Sequence, residues 1–369
     1  MTDPQDVPNE SLVIALCTPA EREEQARLFN ACFKKDLGAR ELVWRYDENP
    51  HGAALSFVSR PPGGEGVCGY ACSPRMAVPA GDRSHAALVG QTGDVMTHPD
   101  WRKRGIFSGL DAACMEEAGR QGWALAFGLP NRRSAHIFQK LGWETVGKVR
   151  PLTFVLRADA ASRKARMVDG RLKSMLVPMA AAAGRLARRR LRRRAGTGFE
   201  VRPLDAFPAE VDALSATVER DFAFMVRRDA EYLDWRFLRN PAGRHRAFGV
   251  YDPEGMFAGY VVIELPRPGQ AAGYLVDLLA PDPAARAAAF ESAFLHLASA
   301  GSSYVRATAL DGSWWSDRLR EAGFQRPRAE NHLIVILYPH RPDHPLVAAA
   351  RDTSRWYFTD GDRDDETMG

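Results

Sequence analysis

The chain repeats itself, and that limits its fold more than any other feature. Trp44-Arg45-Tyr46-x-x-Asn49-Pro50 returns 191 residues later as Trp235-Arg236-Phe237-x-x-Asn240-Pro241. Each copy follows a helical pattern, 21–35 and 210–228. Each precedes two extended stretches joined by a turn: 54–60, Pro-Pro-Gly-Gly and 67–76 in one, 246–251, Asp-Pro-Glu-Gly and 256–265 in the other. Strand, Gly/Pro turn and strand predict a hairpin. A second correspondence, offset by 181, pairs Phe138-Gln-Lys-Leu-Gly142-Trp143 with Leu319-Arg-Glu-Ala-Gly323-Phe324. Both are helices stopped at glycine with an aromatic opening the next strand. Each half therefore reads as strand, two helices, hairpin, strand, helix, strand, helix, strands. That pattern predicts an α/β (α+β) fold: a mixed sheet with helices on its faces, present twice. The length of 369 residues agrees, because one core serves ~100–150 residues. Trp44 and Trp235 read as core packing.

Charge marks the boundary between the copies. Arg157 to Arg194 holds 13 basic residues against Asp159 and Asp169, so it carries +11 while the rest of the chain carries −7, within a net +4. Leu172, Leu176, Met179, Ala183 and Leu186 fall near helical spacing, and Pro178 predicts a kink or a break. A basic amphipathic helix packs between domains or lies on anionic lipid, so 171–194 is a candidate for peripheral membrane contact. Few aromatics interleave with the arginines, which argues against base stacking, and no nucleic-acid partner is expected. The longest apolar run is about half of the ~20 residues a membrane helix needs. The polar, acidic N-terminus does not read as a signal peptide. Five cysteines form no disulfide framework, and Cys68 and Cys72 lack partners for a zinc site, so no metal is expected and a reducing cytoplasm suits the chain.

The most informative segment is Asp94-Val-Met-Thr-His98-Pro99-Asp-Trp-Arg102-Lys103-Arg104-Gly105-Ile106-Phe107. It reads as a strand (91–97), a basic turn, then a helix (106–119) with Ile106, Leu110, Ala113, Cys114 and Ala118 on one face. A helix start offers unpaired N–H groups and the positive end of a dipole, a ready anion site. Gly105 allows close backbone approach, and Arg102, Lys103 and Arg104 add charge around a phosphate. An ordinary strand-to-helix turn with solvated arginines would look similar.

The segment resembles the acyl-CoA-binding motif of the GNAT N-acyltransferase superfamily, Arg/Gln-x-x-Gly-x-Gly/Ala after a strand ending Val-x-Pro. Arg102, Gly105 and Pro99 match, whereas Thr97 replaces the Val and Phe107 the last Gly/Ala. Asn131-x-x-Ser134-x-x-Ile137-Phe138-x-x-x-Gly142-Trp143 resembles the family's next helix, and the element order agrees across 12–156. The resemblance implies a sheet splayed between its fourth and fifth strands, with the pantetheine arm of acetyl-CoA or another acyl-CoA in the gap. Val95, Met96 and Thr97 would bond pantetheine through their backbone. The amides of Arg102, Lys103, Arg104, Gly105, Ile106 and Phe107 would hold the pyrophosphate, and Asn131 would contact the cofactor arm. An amine would attack the thioester directly. Asp94 is the candidate base, with His98 beside it. The family often has a Tyr acid where this chain has Phe138, which cannot donate a proton.

The matching place in the second half, Gly273 to Phe290, keeps strand, proline and helix but not the Arg-x-x-Gly pattern, since Arg286 is followed by Ala-Ala-Ala. One CoA site is therefore expected, in the first half. At the end of the chain, Trp356-Tyr-Phe-Thr-Asp360-Gly-Asp362 places an aromatic cluster beside carboxylates. Trp356, Asp360 and Asp362 are candidate acceptor contacts. The ending is similar to that of two-domain GNAT-like amino-sugar acyltransferases of surface-polysaccharide pathways. The expected organisation is a catalytic GNAT domain (11–156), a basic helical connector (157–196), a degenerate GNAT-like domain (197–342) and a tail (343–369). The expected activity is CoA-dependent N-acyl transfer, acetyl transfer first of all, to a small-molecule amine such as an amino sugar. The alternatives are a tRNA-dependent aminoacyl transfer enzyme, which the cradle argues against, and a non-catalytic acyl-CoA-binding protein.

Overall fold

A computed structural model describes residues 11–157, 171–195, 198–327 and 332–363, with the side chains of 171–180 outside that set. The basic residues at 163–166 and the acidic chain end after 363, both part of the sequence reading, lie outside the described residues. The first half runs β1 (Val13–Leu16), α1 (Arg22–Phe33), α2 (Ala39–Tyr46), β2 (Leu55–Arg60), β3 (Cys68–Val78), β4 (Ala87–Thr97), α3 (Ile106–Arg120), β5 (Leu125–Gly128), α4 (Arg132–Lys140) and β6 (Glu144–Val155). The connector is α5 (Arg171–Ala195). The second half runs β7 (Glu200–Leu204), α6 (Glu210–Val218), β8 (Phe224–Val226), α7 (Ala230–Leu233), β9 (His245–Tyr251), β10 (Phe257–Glu264), β11 (Ala272–Leu279), α8 (Pro283–Ser299), β12 (Tyr304–Leu310), α9 (Trp314–Glu321) and β13 (Leu333–Pro339). The tail adds α10 (Pro345–Ala350) and β14 (Trp356–Tyr357). The fold is the mixed α/β type expected, with the repeat visible in the order of elements.

The two halves share one sheet. Its strands lie in the order β1-β2-β3-β4-β5-β13-β6-β12-β11-β10-β9-β7. Read as copies, this order is the same from both ends, so an approximate twofold relates the halves. The middle of the palindrome is an exchange. β13, from the second half, lies between β5 and β6 and runs antiparallel to both. β6, from the first half, pairs with β12 from Val149↔Leu310 to Val155↔Tyr304. Val149 belongs to both ladders, since it also faces Leu333. The sequence-contiguous copies are thus not the spatial lobes, because each lobe is completed by the other copy's last strand.

The repeated tryptophans sit at the junction. The Trp44 Nε1–H donates to the Trp235 carbonyl at 2.8 Å, and the Trp235 Nε1–H returns the bond to the Trp44 carbonyl at 2.9 Å. Their rings stack with centroids 5.2 Å apart, and both are buried. The pair belongs to a core that spans both halves and includes Phe127, Val149, Phe224, Tyr260, Val335, Trp356 and Phe358. A second core fills the space between the β10–β12 region, α8 and α5, and a third lies beneath α3.

The connector is one helix that runs through Pro178 without the expected break. Ala181, Ala187 and Leu191 are buried, and Arg188 and Arg192 both pair with Glu291 of α8 at 2.7 Å. Two of its arginines therefore hold domain structure, while Arg185, Arg189, Arg190 and Arg193 stay exposed. No helix among the described residues is long and apolar enough to cross a membrane.

Trp44→Ala and Trp235→Ala should each lower unfolding stability by roughly 3–5 kcal/mol through lost packing and an orphaned carbonyl. The double variant should lose clearly less than the sum of the two, because either change breaks the same reciprocal contact. Denaturant titration of the four proteins checks this, and additivity would contradict it.

Candidate functional site

β4 and β5 pair in parallel from Val89↔Leu125 to Thr92↔Gly128 and then separate. β4 continues to Thr97 while still bonded to β3, so its other edge has no strand partner among the described residues from Gly93 onward. A bulge in this stretch sets two residues, Asp94 and Val95, opposite Tyr70 alone. Asp94 carries the turn with φ of 49°, unusual for a residue other than glycine. Its Oδ2 accepts bonds from Arg45 Nη1 at 2.5 Å and Tyr46 Oη at 2.6 Å. Burial pushes the Tyr46 hydroxyl pKa well up, so it stays a donor. Arg45 and Tyr46 thus adjoin the candidate site, although in the sequence they had no role beyond the repeated motif. No local sequence signal joined them to it, because Asp94 lies 49 positions from Arg45.

The cradle follows. Trp101 is buried and Arg104 lies over its ring at 4.7 Å. The Arg102 Nε–H turns back to the Thr97 carbonyl at 3.2 Å, and Lys103 takes the left-handed conformation with φ of 65°. Gly105 sets φ of 75° at the helix start, where a Cβ would meet nothing within 4 Å. No side chain caps α3. Asn131, Asp282 and Ser313, by contrast, each cap the helix that follows them. An open helix start behind a glycine, with Arg102 and Lys103 exposed around it, fits a diphosphate.

The structure places the other expected residues as follows. Met96 is buried, and its side chain packs across Gly69. Val95, Ile106 and Phe107 send their side chains into the core beneath α3, leaving only their amides for a ligand. The Thr97 hydroxyl lies 3.2 Å from Cys68 Sγ. The His98 Nδ1 accepts from the Asp100 N–H at 3.4 Å and shapes the turn. Asn131 Oδ1 accepts from the Arg133 and Ser134 N–H groups at 3.0 Å each, which leaves its amide nitrogen outside the cap. Phe138 is buried between Phe107 and Trp143, at 5.1 and 5.2 Å.

The second copy of the cradle is closed by the chain itself. Asp282 Oδ1 accepts from the Ala284 and Ala285 N–H groups at 2.8 Å each, so a carboxylate already holds the start of α8. The Arg286 Nη1–H groups bond the Ala280 and Pro281 carbonyls at 2.9 Å. β11 and β12 separate beyond Tyr274↔Arg306, and the tail bridges them. The Thr359 hydroxyl donates to Asp277 Oδ1 at 2.9 Å, while Asp360 accepts from the Thr308 N–H and hydroxyl at 2.6 Å each.

This corrects two of the three expected acceptor contacts. Trp356 is buried against Phe224 and Phe127, with ring centroids at 4.3 and 5.7 Å, so its face is unavailable for stacking on a sugar. Asp362 is buried and paired with Arg228 at 2.5 Å, and burial pushes its pKa up. An aromatic run at a chain end gives the same sequence signal whether it caps a core or faces solvent. Asp360 differs, because it lines a cavity of about 700 Å³ between the halves. The cavity wall runs from Asn131 at the start of α4, past Leu333 of β13, Pro151 of β6 and Thr308 of β12, to Val276 of β11. Its first-half lining is Asn131, Arg132, Arg133, Val149 and Pro151, and the rest comes from the second half and the tail.

Residues 14–146 match the model of the acetyltransferase (GNAT) domain. No curated protein matches the sequence significantly. Among solved structures, the chain is similar to a probable N-acyltransferase from Enterococcus faecalis V583 (12% identity, TM-score 0.60, 89% of this chain and 72% of that one). It is also similar to a GCN5-related N-acetyltransferase from Kribbella flavida (16%, 0.56, 88% and 70%). A tandem GNAT protein from the clavulanic acid biosynthesis pathway aligns over 90% of this chain and 99% of its own (14%, 0.53). At these identities the likeness is one of fold, and the tandem fold agrees with the duplicated order seen here. Residues 14–146 thus match an acetyltransferase (GNAT) domain, and the chain as a whole shares the fold of tandem GNAT proteins.

Proposed function

We propose that the first half binds one acyl-CoA, acetyl-CoA first of all, and passes the acyl group to a small-molecule amine held in the cavity between the halves. The observation that carries this reading is the uncapped start of α3 behind Gly105, next to a β4 edge left unpaired beyond Thr92. The amides of Arg102 to Phe107 hold the pyrophosphate, and Arg102 and Lys103 add charge. The free edge of Val95 to Thr97 takes pantetheine as a missing strand would, with the amide nitrogen of Asn131 across the gap. A free N–H of Met96 or Thr97 polarises the thioester carbonyl.

The amine nitrogen attacks the carbonyl carbon, the C–S bond breaks, the nitrogen loses a proton and the thiolate gains one. Asp94 is the proposed proton acceptor, directly or through water, because both of its latch bonds fall on Oδ2 and leave Oδ1 outside them. With Phe138 buried and lacking a hydroxyl, the thiolate takes its proton from solvent. Holding both reactants in one cleft supplies much of the rate, potentially ~7–11 kcal/mol. An amino sugar is one acceptor of suitable size for the cavity.

Gly105→Asp should leave the fold intact, since its Cβ has open space and Asp tolerates this conformation, yet weaken acetyl-CoA binding by ~100-fold through like-charge contact with the pyrophosphate. Calorimetry checks it, and unchanged affinity would remove the cradle assignment. Asp94→Asn keeps an acceptor for Arg45 and Tyr46 but no base. Thiol release with a panel of amines should show kcat reduced ~100-fold or more with the KM for acetyl-CoA retained. Unreduced kcat would make Asp94 a purely structural latch.

A further inference from the structure

The cavity between the halves is lined by five arginines against two carboxylates. Both carboxylates are already committed. Glu264 accepts from the Arg244 Nε–H at 2.9 Å, and Asp360 accepts from Thr308 and pairs with Arg363 at 2.9 Å. Arg236 is committed too, donating to the tail carbonyls of Gly361 and Arg363. Arg132, Arg133 and Arg306 remain. All three are exposed, and their side chains make no ion pair or hydrogen bond among the described residues. They come from different halves: Arg132 and Arg133 open α4, whereas Arg306 stands on β12 where it parts from β11. Water and salt screen exposed arginines from one another, but three unpaired guanidinium groups around one cavity, with its described carboxylates already paired, leave it with a net positive lining that suits an anion. His245 shares the wall. Burial, then Arg236 and Arg244, press its pKa down to about 3, so it is neutral, and its buried Nδ1 has no hydrogen-bond partner.

From this convergence we propose that the acceptor is an anionic amine: its amino group lies at the Asn131 end, and a carboxylate or phosphate at its other end is held by Arg306 with Arg132 and Arg133. This rests on the proposed acyl transfer and narrows its substrate class. The second half then contributes the specificity-determining residue Arg306 to chemistry done in the first, which gives a function to a half whose own cradle is closed.

The test uses the full chain, acetyl-CoA and matched acceptors: glucosamine with glucosamine 6-phosphate, ethanolamine with phosphoethanolamine, and β-alaninamide with β-alanine. The anionic member of at least one pair should have the higher kcat/KM, and the phosphate and carboxylate pairs tell the two anion types apart. For that acceptor, Arg306→Ala and Arg306→Gln should raise KM ~10-fold or more, Arg306→Lys less, with the KM for acetyl-CoA unchanged. Equal kcat/KM within every pair overturns the proposal. So does a rise in the KM for acetyl-CoA in its place, which would assign these arginines to the co-substrate. Acylation of amines without this preference leaves the proposed function standing and removes only the anion site. If no amine is acylated, that function fails, and calorimetry of glucosamine 6-phosphate and β-alanine against CoA-saturated wild type and Arg306→Ala still decides. Binding that depends on Arg306 supports the site, and its absence overturns it.

Discussion

Two indole N–H groups hold the halves in register. Trp44 and Trp235 each donate to the other's main-chain carbonyl, so four buried polar groups satisfy one another. Such a pair forms only if both copies fold and meet about a common axis. The exchange of β6 and β13 extends the same requirement through the sheet, because neither copy closes its own lobe. Placement of the cradle, the bulge and the cavity follows from that joint. Arg45 and Tyr46, the two residues after Trp44, carry it directly to Asp94 at the bulge.

The halves share a frame but differ at one helix start. In both, a strand ends, a short turn follows and a long helix begins. In the first, Gly105 leaves the N–H groups of α3 without a side-chain cap. In the second, Asp282 fills the matching N–H groups with its own carboxylate. A side chain that caps a helix contributes ~1 kcal/mol to stability and blocks an anion site by the same bonds. The first copy gives up that stabilisation at its proposed binding site, and the second keeps it. The tail completes the division by tying β11 to β12 where the other copy's strands stand open.

Much of this was legible in the residues. Duplication and the mixed sheet follow from local patterns such as the repeated Trp-Arg-aromatic motif, and the basic turn ending at Gly105 and the Ala-Ala-Ala after Arg286 marked the two helix starts that differ. The exchange of β6 and β13 was not, because strand partners are chosen by long-range geometry and either copy's last strand carries a suitable apolar pattern. The tail misled for a related reason. Trp356 and Asp362 look like ligand contacts when their surroundings are unknown, and only the core around Phe224 and Arg228 shows that they are buried partners. Arg45 was invisible as a site residue because its partner, Asp94, lies 49 positions away. Pro178 failed to break α5, whose apolar face is held by packing on the second half.

On the proposed function, one copy binds acyl-CoA and the other does not. The most direct measurement is the stoichiometry of acetyl-CoA bound to the intact chain by isothermal titration calorimetry. The account predicts one molecule per chain. Two equivalents would mean that Asp282 and the tail do not close the second cleft, and no binding would mean that the start of α3 is an ordinary turn.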